Sequence, residues 1–251
     1  MTFIITSAKN PEIQKVRKLI STTSFRKEHQ LCVLEHRAAI FEMIKTRPSL
    51  IQTIYCVEGD EIPYKCTRVS SHVMLAMSSL KTPPGVLAVI KIPRYSWKEY
   101  EQNADLILVL EGIQTSGNVG AILRNAAAFG VGAVYCVGTS DPYHPESIRA
   151  STGTLFKVPI FSCELSELIS LKKNRTFWGL QAGASQSLSD TSFEGKNAFV
   201  LGAEGRGLSI GIKEILNLNL LQIEMSEEVE SLNVAVSSGI LLYNLNTLRT
   251  Q

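Results

Sequence analysis

The sequence predicts an α/β protein whose second half forms a mainly parallel sheet, preceded by a smaller α/β unit. Strand-length apolar runs alternate with helical segments through the second half, which is typical of parallel strands joined by helices. These runs lie near residues 106–110, 133–137, 176–181, 197–202 and 220–224. A chain of 251 residues with 45% hydrophobic residues can bury a substantial core, which excludes a chain that is disordered as a whole.

Residues 1–92 are predicted to form the smaller unit. An Asn-Pro pair at residues 10–11 fits the start of a helix, and apolar side chains at positions 13, 16 and 20 then share one helical face. The elements expected after this helix are strands at 31–34, 51–57 and 86–90, and helices at 37–45 and near 73–79.

Residues 93–104 are predicted to be an interdomain linker, because this stretch is polar, aromatic and aperiodic. Tyr95, Trp97 and Tyr100 could stack on nucleic-acid bases or pack on a neighbouring domain, and the sequence leaves both alternatives open. Residues 105–251 then form the second domain.

The composition indicates a reducing compartment. The five cysteines are scattered without a Cys-x-x-Cys pair, so reduced thiols are expected rather than a disulfide framework. The N-terminus lacks the charged start and long apolar run of a signal peptide, and no run approaches the roughly 18 apolar residues of a membrane span. We therefore expect a cytoplasmic protein with no membrane partner. The four histidines are not grouped as ligands, so no metal is expected.

The charge is divided unevenly along the chain, although the formal net charge is only +2. Residues 1–104 hold 15 Lys and Arg against 9 Asp and Glu, a charge of +6, whereas residues 105–251 hold 10 against 14, a charge of −4. The basic first half predicts that the N-terminal part binds a polyanion. The alternative is that these charges form an ordinary solvated surface. The candidate contacts lie on the first predicted helix and in the loop expected after it: Lys15, Arg17, Lys18, Arg26 and Lys27.

Three segments of the second half share one pattern, in which an apolar strand runs into a polar loop and then a helix. The first, LEGIQTSGNVGAILRNAAAFG, covers residues 110–130, and its helix is expected to start near Asn118 and to carry Arg124 on its second turn. AFVLGAEGRGLS at 198–209 and LQIEMSEEVESLNVAVSSGILLYNL at 221–245 follow the same pattern. Because the carboxyl ends of parallel strands face a ligand crevice, the three loops predict one composite site.

Three motifs inside these segments resemble those of the SpoU (TrmH) family of RNA ribose 2′-O-methyltransferases. They read Asn-Val-Gly-Ala-Ile-Leu-Arg at 118–124, Leu-Gly-Ala-Glu-Gly-Arg-Gly-Leu at 201–208, and Ser-Leu-Asn-Val-Ala-Val at 231–236. Each motif alone is weakly specific, but three in the family's order and roughly its spacing make a chance match improbable. The resemblance spans about residues 106–248.

The resemblance implies a SPOUT-type catalytic domain over residues 105–251, in which about residues 199–248 thread through a loop as a deep trefoil knot. It also implies that S-adenosyl-L-methionine is the cofactor and that a homodimer completes the active site. Residues 1–92 resemble the RNA-binding N-terminal domain that many of these enzymes carry, which favours rRNA over tRNA as the substrate. A tRNA substrate stays open, as does an RNA-binding protein that has lost catalysis.

The family's motif positions assign catalytic roles to Arg124, Asn118, Glu204, Ser231 and Asn233. The family's arginine is proposed to activate the ribose 2′-hydroxyl. Because a guanidinium stays protonated at neutral pH, we favour clamping of an RNA phosphate and stabilisation of the developing alkoxide. The alternative for Arg124 is a structural salt bridge, for instance to Glu204. Asn118, Ser231 and Asn233 can cap helices as well as contact substrate or cofactor.

The resemblance assigns the cofactor pocket to a glycine loop and to backbone groups of neighbouring segments: Leu180, Gly202, Gly205, Ile223, Met225, Ser231 and Leu232. Ordinary turn chemistry is the alternative explanation for Gly205 and Gly207. The chain departs from the family pattern at Glu224, where proline is common, and this leaves the local loop shape open. Arg149, in a family-like Arg-Ala-Ser-Thr-Gly run, is a further candidate phosphate contact.

A nucleotide-binding enzyme of Rossmann or P-loop type is the remaining alternative. Neither Gly-x-Gly-x-x-Gly after a strand nor Gly-x-x-x-x-Gly-Lys-(Ser/Thr) occurs in the sequence, which argues against both. We therefore predict an S-adenosyl-L-methionine-dependent RNA 2′-O-methyltransferase that needs no metal.

Overall fold

The computed structural model describes residues 4–60, 62, 64–226 and 228–249. The chain divides into two compact units: a first unit of residues 1–94 with 143–153, and a second unit of residues 95–142 with 154–251. A segment from the middle of the sequence therefore belongs with the N-terminal part. This differs from the continuous domains that the sequence predicts.

The elements of both units are numbered in chain order. The strands are β1 (Ile4–Ile5), β2 (Leu31–Leu34), β3 (Ile51–Val57), β4 (Thr67–Val69), β5 (Val86–Lys91), β6 (Leu106–Glu111), β7 (Ala133–Val137), β8 (Ile160–Cys163), β9 (Thr176–Leu180), β10 (Gln186–Ser187), β11 (Asn197–Leu201) and β12 (Asn219–Gln222). The α-helices are α1 (Pro11–Ser21), α2 (Thr23–His29), α3 (Arg37–Thr46), α4 (Ser71–Ala76), α5 (Trp97–Asn103), α6 (Ser116–Ala128), α7 (Pro145–Ala150), α8 (Ile210–Leu216) and α9 (Val234–Arg249). Short 3₁₀ segments lie at Pro48–Leu50, Thr154–Lys157 and Leu165–Asn174.

The first unit is built on a mixed sheet in the order β1-β4-β3-β5-β2, in which β5 runs antiparallel to β3 and β2. Helix α1 begins as predicted, since the Asn10 side chain accepts a hydrogen bond from the Glu12 amide over 2.9 Å and Pro11 takes the first turn. The helix buries Ile13, Val16 and Leu19 in the core of this unit and leaves its basic face exposed.

The cysteine prediction is wrong for two residues of the first unit. Cys56 on β3 and Cys66, just before β4, form a disulfide with their Cα atoms 6.3 Å apart. Strands β3 and β4 pair in parallel, and this pairing brings the two cysteines together although they are ten residues apart in sequence. Cys32, Cys136 and Cys163 carry free thiols. Burial, the main cause, raises the thiol pKa of Cys136 and of Cys163 to about 12.

The second unit confirms the predicted mainly parallel sheet. Its strands follow the order β10-β12-β9-β11-β6-β7-β8, and every pairing is parallel. Leu110 of β6 pairs with Leu201 of β11, and Leu180 of β9 pairs with Leu221 of β12. The carboxyl ends of these four central strands therefore lie at one edge of the sheet, and the loops that follow them meet there.

Helices α6 and α9 pack against each other in the second unit. The Asn125 side-chain amide on α6 donates to the Ala235 carbonyl over 3.0 Å and to the Ser238 hydroxyl over 2.8 Å. An added Cβ at Gly239 would lie 3.4 Å from Asn125, so the small residue keeps the two helices close. This packing fixes the helix that carries Arg124 relative to the C-terminal helix.

The predicted linker is largely helical. Residues 97–103 form α5, and Trp97 packs edge-on against Tyr135 with ring centroids 4.7 Å apart and against Phe161 at 5.5 Å. Of the two alternatives for the aromatic side chains, the structure shows packing on the second unit. Among the residues that the structure describes, no helix has the length and apolar character of a membrane span.

Candidate active site

A cavity of about 460 Å³ opens where the loops after the central strands of the second unit meet. Its lining comes from the ends of β9, β11 and β12, the loops that follow them and the first turn of α9. The lining residues include Leu180, Gly202, Gly205, Ile223, Met225, Ser231 and Leu232. The structure thus places all seven residues that the resemblance assigns to a cofactor pocket around one cavity.

The glycine loop at 201–208 closes back on itself. The Gly207 amide donates to the Ala203 carbonyl over 2.9 Å, and the Ala203 amide donates to the Gly207 carbonyl over 3.2 Å. A Cβ at Gly202 would lie 2.3 Å from the Gly207 carbonyl carbon, so only glycine permits this approach. Gly205 has φ +75° with open space around its Cα, and turn conformation accounts for that glycine.

Sequence reasoning missed a carboxylate that holds the far end of this loop. Glu111, the last residue of β6, accepts hydrogen bonds from the backbone amide and hydroxyl of Ser209 over 3.0 and 2.5 Å. The Ser209 hydroxyl in turn accepts from the Ile212 amide and caps α8. The signal that could have found this contact is an acidic residue at the end of a strand whose partner strand leads into a serine-capped helix.

A chain of side-chain amides joins the three predicted segments. The Asn118 Nδ2 group donates to Glu204 Oε1 over 2.7 Å, and the Asn233 Nδ2 group donates to Asn118 Oδ1 over 3.2 Å. Asn233 also caps α9, because its Oδ1 accepts from the Ala235 amide over 2.9 Å. The composite arrangement expected from the three segments is therefore present, with Asn118 in the middle.

Hydrogen bonds keep the Glu204 carboxylate in its charged form. Burial alone raises the pKa of Glu204, but hydrogen bonds from the Asn118 amide, from backbone amides and from the Thr115 hydroxyl outweigh it and lower its pKa below the usual value. The side chain is nevertheless exposed at the loop surface. It offers a fixed negative charge at the mouth of the cavity.

The capping role predicted for Asn118 is wrong. Helix α6 begins at Ser116 with Thr115 at the N-cap, so Asn118 lies inside the first turn rather than before it. Its amide is free to reach the glycine loop because the helix starts two residues earlier than the sequence pattern suggests.

Arg124 lies on α6 as predicted and is exposed to solvent. Within the described part of the chain its guanidinium forms no hydrogen bond or ion pair, and Glu204 is bonded to Asn118 instead. The salt bridge considered as the alternative for Arg124 is therefore absent between these two residues.

The loop after β12 carries the departure from the family pattern. Glu224 is near the Ser189 hydroxyl, which donates to its carboxylate over 3.5 Å, while its neighbours Ile223 and Met225 line the cavity. The substitution of glutamate for proline leaves these two residues at the cavity wall. Ser231 is exposed at the start of the last motif and lines the cavity as well.

Of the basic residues predicted to grip a polyanion, four are exposed on the first unit: Lys15, Arg17, Lys18 and Lys27. The prediction of Arg26 as a polyanion contact is wrong. It lies in α2 rather than in a loop, is 1% exposed, and donates to the carbonyls of Leu19 and Ile20 and to the Thr23 hydroxyl. A guanidinium used in this way joins two helices and cannot serve as an exposed phosphate contact.

Arg149 belongs to the first unit. It is exposed at the end of α7, and its guanidinium lies 3.4 Å from the Ser79 hydroxyl. Ser79 donates from both its hydroxyl and its backbone amide to Glu35, which also accepts from the Ser78 hydroxyl. His36, next to Glu35, accepts a hydrogen bond from the Ala39 amide and caps α3.

The cavity suits an adenosine-type ligand in size and in chemistry. Its volume falls in the range of about 300–1,000 Å³ that is usual for small-molecule sites. Leu180, Leu201 and Leu232 supply apolar surface, while the glycine loop brings backbone amides and carbonyls to the wall. Across residues 4–60, 62, 64–226 and 228–249, no three His, Cys, Asp or Glu side chains group as metal ligands.

Comparison with known proteins places this geometry in a family. The model of the SpoU rRNA Methylase family matches residues 105–243. A 23S rRNA (guanosine(2553)-2′-O)-methyltransferase, RlmP of Bacillus subtilis, is 29% identical over 254 residues, which cover 96% of this chain and 98% of the relative.

Two solved structures share the whole fold. A crystal structure of an RNA 2′-O ribose methyltransferase is 27% identical, with a TM-score of 0.82 over 99% of this chain and 100% of its own. An AdoMet-bound rRNA methyltransferase from Sinorhizobium meliloti, at 20% identity, has a TM-score of 0.85 over 98% of each chain and shows the fold alone. The chain belongs to the SpoU rRNA Methylase family.

Proposed function

We infer that this protein is an S-adenosyl-L-methionine-dependent methyltransferase that modifies a ribose 2′-hydroxyl of RNA, with rRNA as the favoured substrate. The observation that carries this inference is the contact of Asn118 with both Glu204 and Asn233 beside the cavity. One residue from each family motif takes part in it. The 2′-O ribose methyltransferase with 27% identity and RlmP, which modifies 23S rRNA, support the reaction and the substrate class.

The cavity walls would hold the cofactor, which supplies an activated methyl group on a sulfonium. The backbones of Leu180, Ile223 and Leu232 provide donors and acceptors for an adenine edge, and the glycine loop at 201–208 offers further backbone groups. Met225 and Ser231 complete this proposed set of contacts.

Arg124 is the residue to which we assign stabilisation of the reacting oxygen. Methyl transfer to the ribose oxygen would break the methyl C–S bond, leave the cofactor as a neutral thioether and release the hydroxyl proton to a phosphate or to water. A guanidinium clamps an RNA phosphate with two parallel hydrogen bonds and lowers the energy of the developing alkoxide. Its exposure and the absence of a partner among the described residues leave it available for this contact.

Asn118, Glu204, Ser231 and Asn233 have supporting roles in this proposal. The Glu204 carboxylate, held charged by its hydrogen bonds, is suited to accept from ribose hydroxyls. Asn118 and Asn233 keep the glycine loop and the start of α9 in register. Ser231 offers a hydroxyl at the cavity wall to the cofactor or the ribose.

The first unit is proposed to bind the RNA. Its exposed basic residues and Arg149 are suited to phosphate contacts. Such contacts add binding affinity but do not distinguish one base from another. The roles proposed are therefore RNA binding for residues 1–92 together with the segment 143–153, and catalysis for the rest of residues 105–251. A cytoplasmic location, expected from the sequence, stays part of the proposal.

A homodimer is also part of the proposal. Helix α9 exposes Val236, Ile240 and Tyr243, which are 50%, 38% and 62% accessible and share one helical face. An exposed apolar stripe of this kind suits an isologous contact with a second copy. The family resemblance implies the same partner.

We extend the proposal to the trefoil knot implied for about residues 199–248. Strand β11 lies between β6 and β9, β12 lies on the far side of β9, and α9 returns to pack on α6. This path brings the C-terminal segment back onto a helix of the same unit, which supports the proposed threading.

The test is methyl transfer from labelled S-adenosyl-L-methionine to separated rRNA and tRNA. We expect label in rRNA and saturable cofactor binding in calorimetry without added metal. Label in tRNA alone would show that tRNA, the second candidate, is the substrate. Cofactor binding with no transfer to either RNA would favour a non-catalytic RNA-binding protein, and no cofactor binding at millimolar concentration would contradict the assignment.

A further inference from the structure

The first unit contains a second concavity of about 380 Å³, between α1 and the end of α4. It is separate in sequence from every residue of the cofactor cavity. The residues that line it are Gln14, Arg17, Lys18, Ile20, Ser21, Ala76, Met77 and Ser78. Neither the family motifs nor the cofactor site uses this concavity.

The lining combines positive charge with apolar surface. Arg17 and Lys18 are exposed cations, and no carboxylate is among the lining residues. Ile20 and Ala76, which are half-buried, add apolar atoms that a ligand can reach, and the fully buried Met77 lies behind them in the core. A cavity with this lining favours a ligand that has both an anionic group and an apolar part.

The buried Arg26 removes a charge that would oppose an anion here. The carboxyl end of a helix carries a partial negative charge on its unpaired carbonyls. At the end of α1 the Arg26 guanidinium donates to the carbonyls of Leu19 and Ile20 over 2.7 and 3.1 Å. Arg26 therefore neutralises the helix end beside the concavity and holds Ile20 in position.

We propose that this concavity binds one unpaired nucleotide of the RNA substrate. Arg17 and Lys18 contact its phosphate, and its base lies against Ile20 and Ala76. The inference rests on the proposed RNA methyltransferase function. The concavity is larger than a phosphate requires, and a base can enter it only after leaving its stack, so the ligand is a single-stranded or bulged nucleotide.

Filling the concavity without changing its charge tests the proposal most sharply. Ser21 is exposed and lines the cavity, so Ser21→Trp should occupy it while the chain folds normally. Ser24→Trp is the matched control, because Ser24 is exposed on α2 and does not line the cavity. The probes are an oligouridylate and a fully paired RNA duplex of the same length, titrated with the full-length protein.

We expect Ser21→Trp to weaken oligouridylate binding by on the order of tenfold, because the indole excludes the base and its burial against apolar side chains is lost. Duplex binding and the salt dependence of the affinity should not change. Ser24→Trp should behave as the unmodified protein does. Equal oligouridylate affinity for the two tryptophan variants would overturn the proposal.

Removing the charges gives a second, independent result. Arg17→Gln combined with Lys18→Gln should reduce the slope of log affinity against log salt by roughly 0.7 for each phosphate that the protein no longer neutralises. Lys98→Gln combined with Lys173→Gln is the control, because these two exposed cations belong to the second unit, lie outside the lining and are not among the residues proposed to bind RNA. An equal reduction of the slope in both double variants would indicate a diffuse basic surface and contradict a nucleotide pocket.

Cofactor calorimetry on the same variants separates this inference from the proposed function. If the unmodified protein binds S-adenosyl-L-methionine and methylates RNA but Ser21→Trp changes nothing, only the nucleotide pocket is wrong. If the unmodified protein fails in both assays, the proposed function itself is wrong.

Discussion

Asn118 and Glu204 are 86 residues apart in sequence, and the Asn118 amide donates to the Glu204 carboxylate over 2.7 Å. Adjacent pairing of β6 with β11 makes this contact, because it places the helix after one strand beside the loop after the other. The Asn118 amide is also one cause of the low pKa of Glu204. The geometry of the glycine loop and the charge at its tip thus depend on a residue of another motif.

Replacing Asn118 with alanine should therefore weaken cofactor binding. The Glu204 carboxylate loses a charge-assisted hydrogen bond and Asn233 loses its acceptor, and such bonds contribute about 1.5–3 kcal/mol. We expect the dissociation constant to rise on the order of tenfold in calorimetry. An unchanged constant would show that the cavity does not depend on this contact.

Gly202→Ala should abolish cofactor binding, whereas Gly205→Ala should only weaken it. A Cβ at position 202 meets backbone atoms of Gly207 and Leu208 at 2.3 to 2.6 Å, which the loop cannot accommodate without opening. Gly205 has open space, and its positive φ costs a side chain roughly 1–2 kcal/mol. Calorimetry on both variants, with circular dichroism as the folding control, gives the comparison. Equal weakening in the two variants would contradict this account of the loop.

The fold was predictable where buried apolar strands dominate. The predicted bounds of β2 and β7 agree with the structure residue for residue, because both are continuous apolar runs. Strands β4, β8 and β10 were missed because they are short or polar. Helix α2 was missed because its inward residue is Arg26, a residue type that sequence patterns assign to the surface.

The candidate site was predictable as a set of residues but not as a set of contacts. The motifs identified Asn118, Glu204 and Asn233, whereas the pairing between them depends on strand order. The role of Glu111 escaped notice for the same reason, since its partner Ser209 lies 98 residues away. A local sequence pattern cannot show which loops lie next to each other. That depends on the order of the strands in the sheet.

Trp97→Ala should destabilise the protein without changing how its RNA affinity depends on salt. The indole is half-buried against Tyr135 and Phe161, and its N–H donates to the Ser170 hydroxyl over 3.3 Å. Removal of this packing should lower the free energy of unfolding by about 2 kcal/mol in urea titration. Unchanged stability together with weaker RNA binding would favour base stacking over packing. Tyr64→Ala, at a 40% exposed aromatic residue of the first unit, is the control.

Arg124→Ala should leave cofactor binding nearly intact and slow single-turnover methylation by on the order of a hundredfold or more, as removal of a preorganised charge does. Arg124→Lys should restore activity only in part, because a point charge cannot reproduce the two-pronged guanidinium contact. If the alanine variant methylates at a near-normal rate under saturating RNA and cofactor, the catalytic role passes to Glu204, Ser231 or Asn233.

The chemical position of the transferred methyl group tests the central claim most directly. A 2′-O-methyl group removes the hydroxyl that attacks the neighbouring phosphodiester, so the modified linkage survives alkaline hydrolysis. After reaction of the protein with rRNA and labelled S-adenosyl-L-methionine, we predict that the label is recovered in an alkali-resistant dinucleotide from one site. Label recovered on a base, in alkali-sensitive mononucleotides, would contradict methylation of a ribose 2′-hydroxyl.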